Sequence, residues 1–321
     1  MSKVTIIGAG NVGATAAMKL AGIDMVDEIV LLDIKEGVAE GKAADIMQSL
    51  MMKSGNGSAI NGTTLVIGTT NDYSKTAGSD IIVITSGVPR KPGMTREELV
   101  GVNSNVVNSV FEQTGKYSPD ALYVVVSNPM DTMTQLIVKC LGKENAHRVI
   151  GMGGLLDSAR FKYNIFMKLN EKMPDTFVPD EIKAIVIGGH GDTTMVPLVY
   201  KAKVAGHDLP FYFSDEEIND IVDKTMRGGA ILTKALGTSA WEAPAQGICD
   251  TVYNLLFGDG DVPVKFPASV YREEYDLCIG SVIEVNEKGV SKIYDIEKED
   301  AETNEKFMKS VAAVRTVNAA L

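Results

Sequence analysis

Residues 3–33 restrict what this chain can fold into more than any other stretch, because they read as strand, tight glycine turn, helix and strand in immediate succession. Val4-Thr5-Ile6-Ile7 is a short β-branched run that ends in Gly8-Ala9-Gly10-Asn11-Val12-Gly13, and a helix follows over 14–21. Glu28-Ile29-Val30-Leu31-Leu32 is a second apolar strand that stops at Asp33. In a G-x-G-x-x-G turn the first glycine makes the turn, the second admits a pyrophosphate to the backbone, and the third lets helix and strand pack closely. The helix start offers unpaired N–H groups and the positive end of its dipole to the phosphates. Asp33 lies twenty positions after Gly13 at a strand end, where its carboxylate can accept hydrogen bonds from both ribose hydroxyls. The glycine motif alone is weak in a chain with 31 glycines, but two flanking strands and an acid at this distance make it specific for a dinucleotide. A carboxylate at Asp33 repels a 2′-phosphate and Ile34 brings no positive charge beside it, so NAD is expected rather than NADP.

The pattern continues in kind. A helix over 37–50 carries Ala39, Ala43, Ile46, Met47 and Leu50 on one stripe, and Met51 and Met52 extend it. Residues 53–62 read as a loop and 64–68 as a third strand. The run 80–85 is apolar without interruption, which points to burial on both faces, as in a parallel sheet. A Pro- and Gly-containing loop over 87–95 precedes a long amphipathic helix over 96–117, then a strand over 121–126, a helix over 131–141 and a strand over 148–152. This alternation specifies an α/β fold, an open, doubly wound parallel sheet whose ligands gather at the carboxyl ends of the strands. The texture then changes. A helix over 155–170, an apolar run over 182–187, helices over 214–234 and 239–257, alternating strands over 280–285 and 290–296 and a final helix over 301–321 make an α+β second half. The expected division is a dinucleotide domain over 1–152 and a substrate domain over 153–321.

Net charge is −11 and the pI near 4.9, which disfavours nucleic-acid and anionic-membrane surfaces. No apolar run approaches the ~18–20 residues that span a bilayer, and the first strand starts at residue 4, leaving no room for a signal peptide. Three cysteines without metal-type spacing suit a reducing cytoplasm, with Cys140 and Cys249 expected as small core residues. No metal site is expected.

Only three histidines exist. His147 and His207 sit in surface-like contexts, whereas His190 stands between glycines directly after a buried strand, in Gly188-Gly189-His190-Gly191-Asp192. Glycine neighbours leave space for a ligand and permit unusual backbone angles. Arg90 and Arg96 flank a loop that can fold over a ligand and exclude water, or that is simply solvated. Asp157 and Arg160 project from the same helix face, either as a surface ion pair of little worth or inward as a histidine partner and a bidentate carboxylate grip.

Taken in order, Gly8-to-Gly13 with Asp33, the 89–96 loop, Ser127-Asn128-Pro129, the Asp157/Arg160 pair and Gly-Gly-His190-Gly-Asp resemble the lactate/malate dehydrogenase family. The similarity runs over nearly the whole chain, is densest over 4–196 and is nearest to the lactate-dehydrogenase-like malate dehydrogenases. It implies a Rossmann NAD domain and a reversible hydride transfer between (S)-malate and NAD. His190 would be the acid/base, Asp157 would fix its tautomer, and Arg160 would hold the C1 carboxylate. Arg96 would polarise the C2 carbonyl on loop closure, and Asn128 would bond the substrate. Gly8, Gly10, Asn11, Val12, Gly13, Asp33, Asn103, Val126, Ser127 and Asn128 would contact the cofactor.

Arg90 stands where malate-specific members of that family carry arginine and lactate-specific ones glutamine. The physics agrees, since a second buried carboxylate must be paired and an unpaired arginine rejects a methyl group. The expected substrate is therefore a small dicarboxylate, malate or oxaloacetate, with lactate the nearest alternative. Ala240 and Pro244 resemble pocket-wall residues, while Glu242 departs from the aromatic expected in malate-specific relatives. A short-chain dehydrogenase would need Tyr-x-x-x-Lys on a helix, and Tyr294 to Lys298 lies in a late strand pattern. A non-catalytic NAD-binding protein would account for the glycine turn and Asp33 but not for His190, Asp157 and three arginines together. The family resemblance also implies a homodimer or homotetramer, with 47–52 as a candidate contact.

Overall fold

The computed structural model describes residues 2–53, 64–89, 95–258 and 264–321. Most of the loop expected over 53–62 and Arg90 with its neighbours 91–94 lie outside the described residues, and Arg96 is described without its side chain.

Six strands alternate with helices through the first half: β1 (Lys3–Ile7), α1 (Asn11–Gly22), β2 (Glu28–Asp33), α2 (Val38–Lys53), β3 (Leu65–Thr70), β4 (Ile81–Ile84), α3 (Arg96–Tyr117), β5 (Leu122–Val125), α4 (Met130–Leu141) and β6 (Val149–Gly151). They pair in parallel in the order β3-β2-β1-β4-β5-β6. The reason for their unbroken apolar sequences is that each strand feeds two cores. Val4, Ile6, Ile29, Leu31, Ile81 and Val83 point to one face. Ile7, Leu32, Ile82, Ile84, Tyr123 and Val125 point to the other. Side chains alternate across a strand, so covering both faces leaves little room for polar residues, and the one inside β1, the fully buried Thr5, pairs its hydroxyl with that of Ser79 at 2.6 Å. The strand order reverses between β1 and β4, and that switch point opens a crevice beyond their carboxyl ends.

The second half comprises α5 (Gly154–Lys172), β7 (Ile182–Lys183), β8 (Val186–Gly188), β9 (Met195–Pro197), β10 (Lys203–Val204), β11 (His207–Asp208), α6 (Asp215–Met226), α7 (Gly228–Leu236), α8 (Glu242–Phe257), β12 (Lys265–Arg272), β13 (Leu277–Asn286), β14 (Gly289–Tyr294) and α9 (Ala301–Asn318). Strand β12 pairs antiparallel with β6 and so extends the same sheet into this half. Helix α8 lays Ala245, Ile248, Cys249, Val252 and Leu255 into the core beneath α1.

Four sequence expectations need correction. The run 182–187 is two strands rather than one, because β7 pairs with β10 in a small separate sheet while β8 joins the main sheet. The helix expected over 214–234 breaks at Arg227, ahead of Gly228 and Gly229. The helix expected from 239 begins only at Glu242. Cys140 is exposed instead of in the core, at the end of α4 with its thiol against Asn108, whereas Cys249 is buried and its thiol is pushed up to about 12 by burial.

Candidate active site

The crevice begins with the turn after β1. A Cβ on Gly8 (φ +110°) would sit 2.8 Å from Thr85 Oγ1, and one on Gly13 would sit 1.9 Å from the Gly8 carbonyl oxygen. Protein packing therefore demands both glycines. Gly10 is different, because a Cβ there would meet nothing within 4 Å. Gly10 faces open space at the start of α1, on the side expected for a pyrophosphate. No side chain caps α1 at Gly10, so the amides of its first turn stay available to an anion. Thr85, just past β4, donates to the carbonyls of Ile7 and Gly8 (3.0 Å each) and locks the turn onto the switch point.

At the end of β2, Asp33 accepts the Ala9 N–H at 2.7 Å and the Lys35 N–H at 2.9 Å. Its carboxylate is thus set against the glycine turn, at the side where a ribose would lie. Asn103, 1 % exposed on α3, has its amide spread between two loops. Its Oδ1 accepts the Val88 N–H (2.8 Å), while Nδ2 donates to the carbonyls of Asn128 (2.6 Å) and Val88 (3.2 Å). In this structure Asn103 braces the loops on either side of the crevice. Ser127 follows β5 and donates its hydroxyl to the Ile84 carbonyl at 3.2 Å.

A cavity of about 380 Å³ runs from the glycine turn to the second half. Asn11, Val12, Val126 and Asn128 line it on one side, and His190, Ala240, Trp241 and Pro244 on the other. Glu242 points away into solvent and accepts the indole N–H of Trp241 at 3.1 Å, so the tryptophan forms the wall at this point. The acidic residue that departs from the family pattern is not among those lining the cavity.

His190 follows β8 in a loop built around glycines. Gly188 takes φ +82°, and Gly153 leaves room for the imidazole, since a Cβ there would lie 2.9 Å from His190 Cγ. The imidazole Nδ1 is 2.7 Å from Asp157 Oδ2, and Asp157 Oδ1 accepts from Arg160 Nη1 at 2.9 Å. Of the two readings open to the Asp157/Arg160 pair, the structure selects the inward one: Asp157 is 2 % exposed. Its place in the first turn of α5 suits a carboxylate. Burial works against the imidazolium, but the charge of Asp157 and its hydrogen bond, with a smaller push from Asp131, outweigh burial and the opposing Arg160. The His190 pKa is therefore raised above its ordinary value. The Arg160 stem passes over Gly228, where a Cβ would come within 3.1 Å of its Cδ, and its guanidinium lies against Gly229. Gly228, at the start of α7, is thus kept small by the Arg160 stem.

Sequence reasoning missed Asp131 and Ser269. Asp131 Oδ2 accepts the His190 main-chain N–H at 2.7 Å, and Ser269 donates to Oδ1 at 2.7 Å. An acid in a helix's first turn normally serves the dipole, and nothing local marked this one as buried. His147 and His207 are exposed, as expected.

A dinucleotide crevice ending at a histidine–aspartate pair and an inward arginine defines an NAD-dependent 2-hydroxy-acid dehydrogenase. The comparisons agree. Residues 2–151 match the lactate/malate dehydrogenase NAD-binding domain and residues 155–318 the alpha/beta C-terminal domain of the same family. A malate dehydrogenase of Parabacteroides distasonis is 50 % identical, with 100 % of this chain and 98 % of the relative covered. The solved malate dehydrogenase of Salinibacter ruber superposes with a TM-score of 0.87 at 34 % identity, covering 99 % of this chain and 97 % of that one. A lactate dehydrogenase of Cryptosporidium parvum, solved with lactic acid and nicotinamide adenine dinucleotide, superposes equally well (0.87) at 30 % identity, covering 99 % of this chain and 97 % of that one. The chain belongs to the lactate/malate dehydrogenase family.

Proposed function

We propose that the protein is an NAD-dependent malate dehydrogenase interconverting (S)-malate and oxaloacetate. The observation that carries this reading is the continuous line from Arg160 through Asp157 to His190 at the far end of the glycine-turn cavity. NAD, when bound, supplies the hydride acceptor, and its reduced form the donor. Gly10, the first turn of α1 and Asp33 would hold its pyrophosphate and ribose. Every other step belongs to side chains of this protein.

With Nδ1–H committed to Asp157, His190 Nε2 is the nitrogen left to take the proton of the 2-hydroxyl as malate is oxidised. Asp157 stabilises the imidazolium that results, and the same imidazolium returns the proton when oxaloacetate is reduced. Arg160 grips the C1 carboxylate as a planar fork. Arg96 polarises the C2 carbonyl, Asn128 bonds the substrate, and Arg90 pairs the distal carboxylate. We place the enzyme in the cytoplasm as a homodimer or homotetramer, with Met51 and Met52 of α2, 66 % and 74 % exposed, in the contact face. Among the described residues no helix is long and apolar enough to cross a membrane.

The test is NADH oxidation with oxaloacetate and pyruvate compared by kcat/KM. A hundredfold or greater preference for oxaloacetate, lost in Arg90→Gln, is the expected result. A preference for pyruvate leaves the mechanism and removes Arg90 as the specificity residue.

A further inference from the structure

Asp131 has no part in the chemistry assigned above, yet it is a carboxylate only 7 % exposed beside the acid/base. It stands in the first turn of α4, three residues beyond Asn128. Both its oxygens are engaged, Oδ2 by the His190 main-chain N–H and Oδ1 by the hydroxyl of Ser269 on β12, each at 2.7 Å. One side chain thus ties together three elements: the start of α4 just after the substrate-side Asn128, the glycine loop carrying His190, and a strand of the second half. The loop is held on either side of His190, by the Gly189 N–H bond to Ser310 Oγ (2.8 Å) and by Thr194 Oγ1 donating to the carbonyls of Gly189 (2.9 Å) and Gly191 (3.2 Å), and Asp131 is what holds the main-chain N–H of His190 itself.

We propose that Asp131 is a positioning residue for His190, fixing its main chain to the start of α4 and adding a second negative charge that helps the imidazole keep its proton. The proposal rests on the reading of His190 as the acid/base. Burial, the largest influence, together with the Asp157 charge raises the Asp131 carboxyl above its ordinary value, against the pull of Ser269, the His190 N–H and the nearby imidazole. Its charge in turn acts on His190 in the same direction as that of Asp157 and against Arg160. The neighbouring thiol, Cys278 on β13, is pushed well above its ordinary value by burial and by Asp131, so it stays neutral. Asp192, two residues past His190, is exposed to solvent.

With only three histidines in the chain, ¹⁵N-histidine labelling isolates His190, and its titration can be followed by NMR in the NADH-bound protein without turnover. Asp131→Asn keeps an acceptor for the His190 N–H and can donate to Ser269, so it removes the charge while sparing both contacts. The expected result is a His190 pKa lowered by roughly half a unit or more. The alkaline limb of oxaloacetate reduction should move down in parallel, and NADH affinity should stay within about twofold. Asp131→Ala, which also removes the anchor, should lower kcat at least about tenfold further. An unchanged His190 pKa in Asp131→Asn would overturn the proposal. Should the variants fail to fold, the wild-type His190 amide decides: hydrogen-bonded to a carboxylate, it should exchange far more slowly than the exposed His207 amide, and equal rates would refute the anchor. Turnover retained in His190→Asn would instead sink the reading of His190 itself, which the NMR titration does not presuppose.

Discussion

Replacing Asp157 with asparagine makes the sharpest test of the acid/base assembly, because the geometry leaves asparagine no good arrangement. The carboxylate is buried and uses one oxygen for each neighbour, Oδ2 for His190 Nδ1 and Oδ1 for Arg160 Nη1. Asparagine offers one acceptor and one donor in the same place, so its amide N–H either meets the Arg160 N–H donor to donor or faces His190 Nδ1 and holds the imidazole in the tautomer whose Nε2 already carries the proton. A hydrogen bond to a charged group contributes about 1.5–3 kcal/mol, and an orphaned buried partner costs about 1–3 kcal/mol more. The lost charge also lowers the His190 pKa. Together the two hydrogen-bond terms reach about 2.5–6 kcal/mol, or a loss of about 10²–10⁴ in kcat/KM. The sign of the pH effect follows. Oxaloacetate reduction requires the imidazolium, and a raised His190 pKa carries that form above the ordinary histidine value of about 6.5. Wild-type reduction should therefore fall only as pH rises through the raised pKa, and in Asp157→Asn the fall should come at lower pH. Both quantities come from NADH absorbance followed with oxaloacetate across a pH series. A variant within tenfold of the parent, or one with the same alkaline midpoint, would refute the assignment.

Three further outcomes are expected. Gly13→Ala drives a Cβ against the Gly8 carbonyl, so it should lower Tm and NADH affinity together, whereas Gly10→Ala, with open space around it, should keep Tm and weaken NADH binding tenfold or more; calorimetry with fluorescence titration separates the two, and equal losses of Tm would contradict the geometry. Arg160→Lys cannot form a two-point carboxylate contact and should raise KM for oxaloacetate by roughly 30-fold or more, with NADH affinity unchanged. Arg272, 2 % exposed, donates to Glu274, Asp295 and the buried Glu297, so Arg272→Leu should cost about 3–5 kcal/mol in urea unfolding through the stranded Glu297 charge.

The first half was legible because its local and global signals coincide. Thr95 and Glu98 form a reciprocal cap, and α3 starts where that pair predicts. The five motifs carry their spacing in the chain, so His190, Asp157 and Arg160 could be named before their meeting was seen. What stayed hidden depends on tertiary contacts. The 182–187 run passes from Ile182-Lys183 into Ile185-Val186-Ile187 with no turn residue between, so the sequence could not show that its halves join different sheets. The break at Arg227 sits beside Gly228, which packs against the Arg160 stem, a neighbour far away in sequence. Strand β12, with Pro267 inside it and polar ends, gave no clean alternation. Asp131 had the sequence context of an ordinary helix start, and only its partners reveal another task.

The packing of α8 under α1 has a consequence for the order in which this protein can be made. Cys249 lies against the Ala16 carbonyl across 233 positions of sequence, in the same core as Val4 and Ile6. Among the described residues the first 152 contain every parallel strand and the whole glycine turn, and α1 and α2 cover one face of their sheet, but that core is completed only by α8, a helix ending at Phe257. At about 5–20 residues per second, the ribosome needs roughly 5–20 s to add the intervening ~105 residues. During that interval the nascent nucleotide-binding half leaves open the apolar surface on which α8 will pack, a patch that invites aggregation or a chaperone until the distant helix emerges to cover it.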